Sequence, residues 1–122
     1  MRYTLLIYGD ETASADATPE QLQEIMDGYW AYEAWLEEAG IKRAGEALQD
    51  TGQATTVRVR DDGAMTTDGP FAETKEQLGG FYLIECDNLD DALEAARRCP
   101  GSTHGSVEVR PVLDFSQLEA PR

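Results

Sequence analysis

The run YTLLIY, from Tyr3 to Tyr8, restricts the possible folds more than any other part of the sequence. Its side chains are apolar on both alternating faces, whereas a strand exposed to water on one side alternates between apolar and polar residues. The run therefore predicts a central strand that is covered on both faces. Helices can supply one cover, and we expect a second copy of the chain, packed sheet against sheet, to supply the other.

Two amphipathic helices are predicted. Thr18 can cap the first helix, Pro19 suits its first turn, and Gln21 can complete a capping box. This helix is expected to end at Gly40, while Asn88 caps a second helix that stops at Pro100-Gly101. The apolar stripe of the first helix comprises Leu22, Ile25, Met26, Tyr29 and Leu36.

The order of elements predicts the fold class. Asp61-Asp62-Gly63 is typical of a hairpin turn with Gly63 at positive φ, the segment from Asp10 to Thr18 is predicted as a loop, and Ala72 to Leu78 as a helical turn. The further predicted strands are Ile41 to Leu48, Thr55 to Arg60, Ala64 to Thr67, Phe81 to Cys86 and Ser106 to Val112. The order β-α-β, hairpin, β-α-β predicts an α+β, ferredoxin-like subunit, whose mainly antiparallel sheet is covered by two helices on one face. We expect a single domain over residues 1–113 and a C-terminal tail over residues 114–122.

Composition excludes several function classes. The formal net charge is -14, which opposes binding to nucleic acid, because that affinity comes mostly from neutralising phosphates. No apolar run approaches the roughly 20 residues needed to span a bilayer. The single histidine excludes a multi-histidine metal site within one chain, and Cys86 and Cys99 lack metal-ligand spacing. We expect a cytoplasmic protein with free thiols, no membrane association, no cofactor and no bound metal.

Three segments of the chain carry a family resemblance. They are YTLLIYGDE (residues 3–11), TDGPFAETKEQLGGFY (residues 67–82) and HGSVEVRP (residues 104–111). Together they resemble the DGPF-domain proteins, a branch of the YCII-related family. The resemblance implies a ferredoxin-like subunit in a dimeric α+β barrel, hence a homodimer, and bacterial origin. It also implies an association with sigma factors of the extracytoplasmic-function type, while the activity of the branch is undefined.

The family's histidine-aspartate pair is missing from this chain. In related YCII proteins the histidine lies on the first helix, and the aspartate follows the second helix, before a proline. The corresponding positions hold Tyr29 or Trp30, and Cys99 before Pro100. The resemblance therefore transfers no catalytic chemistry onto those positions.

Asp68 and His104 are the candidate catalytic residues. His104 is the only side chain whose ordinary pKa lies near neutrality, so it can act as a general base that Asp68 or Glu73 orients. The structural alternative is that Asp68 makes an Asx-turn, Phe71 anchors the loop in the core, and His104 is a loop histidine bonded to a backbone carbonyl.

Four further residues are candidate ligand-binding groups. Lys75 can bind a carboxylate and Thr74 a hydroxyl, with Glu73 beside them; Arg58 can hold an anion by paired hydrogen bonds. The alternatives are a solvated turn for residues 73–75 and cross-strand ion pairing for Arg58.

Three functional hypotheses follow. The first is a small dimeric enzyme that transfers protons on a small oxygenated organic molecule, with His104 and Asp68 as the reacting pair. The second is a non-catalytic ligand-binding or regulatory module that is associated with a sigma factor. The third is a structural dimer unit whose motifs serve only folding.

Overall fold

The computed structural model describes residues 1–61 and 63–118 of the chain. The strands are β1 (Arg2–Gly9), β2 (Lys42–Ala47), β3 (Thr55–Arg60), β4 (Gly63–Asp68), β5 (Gln77–Glu85) and β6 (Ser106–Pro111). The helices are α1 (Glu11–Ala15), α2 (Pro19–Ala39), α3 (Leu89–Arg98) and α4 (Gly101–His104), and 3₁₀ turns occur at Thr51–Gln53 and Phe115–Gln117. Among the described residues, no helix is long and apolar enough to cross a membrane.

Four strands form an antiparallel sheet in the order β2-β5-β1-β6. With α2 between β1 and β2 and α3 between β5 and β6, this is the split β-α-β order of a ferredoxin-like domain. Strands β3 and β4 pair only with each other and form a separate two-stranded sheet. The predictions of an α+β chain with antiparallel sheets and of a central first strand are confirmed.

The buried core lies against one set of alternating strand residues. β1 and β5 are in register with Tyr3 opposite Ile84 and Leu5 opposite Tyr82, so these four side chains share a face. The buried cluster also draws on both long helices. Its members are Tyr3, Leu5, Tyr32, Leu36, Tyr82, Ile84, Ala92, Ala95, Ala96 and Cys99.

The alternate residues of the same strands lie outside that cluster. Leu6 is opposite Phe81 and Thr4 is opposite Leu83, which places them on the other face of the sheet. Leu6, Phe81 and Leu83 are only half-buried in the single chain, and none belongs to the buried core or to the apolar residues packed against it. The apolar character of Tyr3 to Tyr8 on both faces is thus only half explained by one chain.

The helix-end predictions are confirmed. Thr18 and Gln21 form the capping box, in which the Gln21 backbone N–H donates to the Thr18 hydroxyl at 3.2 Å. Gly40 ends α2 at a φ of 70°, and the Asn88 side chain accepts from the Asp91 N–H at the start of α3. Gly63 has a φ of 111° at the predicted hairpin, although Asp62 lies outside the described residues.

Three local predictions are wrong. The segment from Asp10 to Thr18 contains α1, because the Asp10 carboxylate accepts from both the N–H and the hydroxyl of Thr12 and caps a short helix. Residues 72–78 form no helical turn; they form bends that lead into β5 at Gln77. His104 ends α4 rather than lying in a loop. The end of the predicted tail, residues 119–122, lies outside the described residues.

Candidate functional site

Glu11 joins three segments at the end of the sheet where β1 finishes. Its carboxylate accepts hydrogen bonds from the N–H and the hydroxyl of Thr51, at 2.7 and 2.8 Å. Its own backbone N–H donates to the Gln77 side-chain oxygen at 3.0 Å. Glu11 therefore holds the start of α1, the turn before β3 and the start of β5 together.

The segment before β5 is also tied to the start of β6. The Ser106 hydroxyl donates to a Glu76 carboxylate oxygen at 2.8 Å. Within the segment, the Thr74 hydroxyl donates to the Glu76 carbonyl, and the Gln77 side-chain amide donates to the Thr74 carbonyl at 2.6 Å. These bonds fix residues 74–77 beside the strand that follows His104.

His104 combines a fixed backbone with a free side chain. Its imidazole is exposed and, within the part of the chain that the structure describes, has no hydrogen bond and no ion pair. The next residue, Gly105, lies so close to β1 that an added Cβ would overlap the Tyr8 carbonyl oxygen. The imidazole is therefore presented to solvent from a backbone packed directly on the end of β1.

Hydrogen bonds made by the backbone of Gly69 hold the turn that follows Asp68. Gly69 has a φ of 98°, its N–H donates to the Ala54 carbonyl at 2.6 Å, and its carbonyl accepts from the Thr56 hydroxyl at 2.8 Å. Asp68 itself is exposed. Phe71 is 76% exposed, so the interpretation that it anchors the loop in the core is wrong.

The structure brings together only some of the predicted site residues. Arg58 donates to the Phe71 carbonyl at 3.0 Å and so supports the turn that follows Asp68. Glu73 and Lys75 are exposed and flank Thr74. No hydrogen bond or ion pair joins Asp68 to His104 among the described residues. Glu73, Thr74 and Lys75 share one segment, which the bond between Glu76 and Ser106 ties to the strand that follows His104, and Arg58 lies on the neighbouring strand β3.

The resemblance places Tyr29 or Trp30 at the histidine position and Cys99 at the aspartate position, and of these Tyr29 and Cys99 lie close together. The Tyr29 hydroxyl and the Cys99 thiol interact, and both lie close to the backbone of Gly101. Burial raises the pKa of the Tyr29 hydroxyl, and burial also raises the pKa of the Cys99 thiol. Both groups therefore hold their protons near neutral pH, and neither is suited to act as a base.

Sequence reasoning missed a partly buried polar cluster built from three separate elements. The Tyr82 hydroxyl donates to a Glu33 carboxylate oxygen at 3.0 Å, and Lys42 forms an ion pair with the other oxygen of Glu33. The Lys42 ammonium also lies 5.7 Å from the centre of the Tyr82 ring. The Tyr32 hydroxyl donates to the Ala95 carbonyl at 2.6 Å, which links α2 to α3. No local sequence pattern signals these contacts, since they join residues far apart in the chain.

These tyrosines predict a loss of stability at alkaline pH. Burial raises the pKa of Tyr32 and of Tyr82 above the ordinary value of 10.0. Below pH 10 the phenols are protonated in both the folded and the unfolded state. Above pH 10 the unfolded chain loses these protons first, which favours unfolding. We expect the free energy of unfolding to fall above pH 10 by about 1.4 kcal/mol per pH unit for each such tyrosine. Urea denaturation between pH 8 and 11 measures this slope.

Tyr82→Phe is the control for the alkaline effect. It removes one titrating hydroxyl and keeps the aromatic ring, so the stability of the variant should depend less steeply on pH above 10. An equal slope in the variant, or no slope in the native protein, would contradict the assignment of the alkaline transition to these phenols.

Two shallow grooves of about 380 Å³ each lie on the surface of the described residues. One lies between α3 and β6, and the other lies beside Trp35 and is bordered by acidic side chains. Neither groove is lined by His104 or Asp68. Over residues 1–61 and 63–118, no group of three or more His, Cys, Asp or Glu side chains is placed to hold a metal ion.

Comparisons with known proteins agree with this architecture. A family model described as YCII-related domain matches residues 1–116. Uncharacterized protein R00369 from Rhizobium meliloti (strain 1021) is 39% identical over 123 residues, which is 99% of either chain. A solved structure, 5-chloro-2-hydroxyhydroquinone dehydrochlorinase (TftG) from Burkholderia phenoliruptrix AC1100 in complex with 2,5-dihydroxybenzoquinone, is similar with a TM-score of 0.52. The two chains are 15% identical, and the match covers 98% of this chain and 100% of that one; at this identity the similarity concerns the fold alone.

Proposed function

This chain belongs to the family of YCII-related domains, and we propose that it is an enzyme that transfers protons on a small oxygenated organic compound. The observation that carries the proposal is the placement of His104, the only imidazole in the chain. It projects from a backbone held against β1, and no described group occupies its ring nitrogens. An exposed imidazole with free ring nitrogens is suited to accept and return protons.

The similar fold of a dehydrochlorinase supports the choice of substrate class. That enzyme's structure holds 2,5-dihydroxybenzoquinone, a small ring with acidic hydroxyl groups. A compound of this type offers an O–H proton to a base and, once ionised, a negative charge to a cation. We propose hydroxylated cyclic compounds as the first substrates to test.

The remaining candidates take supporting roles in this proposal. His104 removes the proton, and Asp68 orients the imidazole when the site is assembled. Lys75 and Arg58 hold the negative charge of the ionised compound, while Thr74 and Glu73 bind its hydroxyl groups. Since no hydrogen bond or ion pair joins Asp68 to His104 within the described chain, we propose that a bound ligand or a second copy brings them together.

A homodimer completes the proposal. Residues of the two long helices share the buried core with Tyr3, Leu5, Tyr82 and Ile84, and we propose that the helices cover this face of the sheet and that a second copy covers the opposite face. Leu6, Phe81 and Leu83 are the apolar centre of that opposite face. Full burial of an exposed Leu or Phe contributes about 1.5–3 kcal/mol; these three side chains are already half-buried, so each would contribute roughly half of that. The association with a sigma factor and the cytoplasmic location stay predictions.

A ligand and activity screen tests the function. We expect a panel of hydroxylated quinones, hydroxybenzoquinols and hydroxy acids, including 2,5-dihydroxybenzoquinone, to contain a compound that raises the thermal unfolding midpoint. The same compound should be converted by the native protein in a spectrophotometric assay. Stabilisation without conversion would favour a non-catalytic binding module, and the absence of any stabilising compound would contradict both readings.

A further inference from the structure

Strands β5 and β6 begin at the same end of the main sheet. Both pair antiparallel with β1, so they run in the same direction, and Leu78 and Ser106 lie on either side of Tyr8. Neighbouring strands are about 4.8 Å apart, which puts β5 and β6 roughly 10 Å apart with β1 between them. His104 precedes β6 by the same number of positions as Lys75 precedes β5. Both residues therefore lie beyond the same end of the central strand.

One side-chain hydrogen bond crosses β1 at this end of the sheet. The Ser106 hydroxyl donates to a Glu76 carboxylate oxygen at 2.8 Å. Ser106 lies opposite Tyr8 and points to the sheet face away from the core, because the next pair, Ile7 and Val107, packs against the core. Glu76 is half-buried, whereas residues 71–75 are exposed. The bond therefore ties the segment before β5 to the start of β6.

The same segment is held on its other side by Gln77. The Gln77 side-chain oxygen accepts from the Glu11 N–H at 3.0 Å, and the Glu11 carboxylate accepts from the N–H and the hydroxyl of Thr51. Thr51 precedes β3, the strand that carries Arg58. Lys75 comes directly before these bonded residues, so its backbone is held relative both to β6 and to the turn before β3.

The ammonium group of Lys75 stays free in this arrangement. Within the described chain, the carboxylates of Glu11 and Glu76 accept from hydroxyl and N–H groups and form no ion pair with a cation. Lys75 likewise has no ion pair among the described residues, although the chain has 24 acidic and 10 basic side chains. An ammonium without a carboxylate partner is available to an anionic ligand.

We propose that Glu76 and Ser106 are positioning residues, which hold Lys75 close enough to His104 for one small cyclic compound to contact both. This inference rests on the proposed function and deepens it, because it places the cation and the base of that site on the same ligand. Glu76 and Ser106 do not touch the ligand; they act through the position of Lys75. Without their bond, the segment before β5 keeps only its tie through Gln77, and the ammonium moves away from the imidazole.

Chemical cross-linking tests this placement without a ligand. Difluorodinitrobenzene is a small ring that joins two nucleophiles as each displaces a fluoride, and both amines and imidazoles react with it. Lys42 and Lys75 are the lysines of the chain, and His104 is its histidine, so peptide mass spectrometry identifies each bridge. We expect a bridge between Lys75 and His104. None is expected from Lys42, because its partner Ile84 lies opposite Tyr3, at the other end of β1.

Paired variants show whether the hydrogen bond sets this placement. Ser106→Ala and Glu76→Ala each remove the bond, and the yield of the bridge between Lys75 and His104 should fall about fivefold, as for the loss of one hydrogen bond of average strength. Ser106→Thr keeps the hydroxyl and Glu76→Gln keeps an acceptor oxygen, so both should retain the bridge. The double alanine variant should lose little more than either single variant, because the two residues act as a pair.

Thr103→Ala is the matched control for Ser106→Ala. It removes another exposed hydroxyl close to His104, one that donates to the Pro100 carbonyl at 2.8 Å and not to the segment before β5. The yield of the bridge should therefore stay at the native level. For a compound that the protein converts, Ser106→Ala should raise KM about fivefold and change kcat less, since the imidazole itself is retained.

Two results of the cross-linking would overturn the proposal. They are the absence of a bridge between Lys75 and His104 in the native protein, and an unchanged yield in both alanine variants. A bridge that depends on Ser106 and Glu76 supports the placement even if no compound of the panel is converted. Conversely, loss of the placement would leave the role of His104 as a base standing, so the two proposals fail separately.

Discussion

Replacing His104 with glutamine is expected to reduce turnover of the best compound from the screen by about 10²- to 10⁴-fold, the usual contribution of a general base. Glutamine keeps a hydrogen-bonding side chain of similar length but cannot accept and release a proton near neutral pH. Because the imidazole is exposed and makes no hydrogen bond to the described chain, the free energy of unfolding should hardly change. Steady-state kinetics and urea denaturation of the same preparation measure both quantities.

Two companion variants make the His104 result specific. Tyr29→Phe removes the hydroxyl at one of the two positions, Tyr29 or Trp30, that can correspond to the family's histidine; since its proton is held by a raised pKa, the rate should be nearly unchanged. Asp68→Asn should lower the rate less than His104→Gln, because Asp68 acts only by orienting the imidazole. A fully active His104→Gln variant, or a Tyr29→Phe variant with the larger loss, would refute the assignment.

Replacing Gly105 with alanine is expected to lower the free energy of unfolding by about 1–3 kcal/mol or more. The added Cβ would overlap the Tyr8 carbonyl oxygen and would lie 3.1 Å from the Gly9 Cα, so both obstacles are backbone atoms. Relief requires separation of β6 from β1 near the pair of Tyr8 and Ser106. Since this shift also moves His104, turnover should fall with stability.

Gly52→Ala is the control for Gly105→Ala. An added Cβ at Gly52 meets no atom within 4 Å, so its effect should stay within about 0.5 kcal/mol, as for most surface changes. The midpoints of urea unfolding compare the two variants directly. Equal stability of the two would show that the approach of α4 to β1 is not as close as the structure places it.

Local chemistry explains which parts of the fold were predictable. The capping box of Thr18 and the Asn88 cap each depend on residues within a few positions, and so does the positive φ of Gly63. The short helices α1 and α4 have no apolar stripe to reveal them. Instead, the Asp10 carboxylate caps α1 by accepting hydrogen bonds from the N–H and the hydroxyl of Thr12. Sequence periodicity does not detect such a cap.

Long-range contacts explain the errors. The segment 72–78 has the composition of a helical turn, but Glu76 is bonded to Ser106 and Gln77 to Glu11, so the segment is extended into β5. The apolar stripe of α2 predicts one helical face. The periodicity of this stripe does not indicate which of its residues are buried within one chain, and the apolar residues of the first turns are exposed.

The candidate site was predictable by residue type but not by geometry. A single histidine is easily identified in a sequence. Its exposed position on a fixed backbone could not be predicted, because that position depends on the close packing of Gly105 on β1. The contact between Tyr29 and Cys99 joins two elements that only the fold brings together. Likewise, the cluster of Glu33, Lys42 and Tyr82 draws on α2, β2 and β5.

The most direct test of the central claim is the NMR signal of the His104 imidazole during titration with 2,5-dihydroxybenzoquinone and the other compounds of the panel. The chain has one histidine, so the signal needs no assignment. A saturable shift of that signal, weakened in Asp68→Asn, is the predicted result and places the ligand beside the imidazole. If a compound binds and the signal stays unmoved, or if no compound of the panel binds, His104 is not the reacting group and the proposed function is wrong.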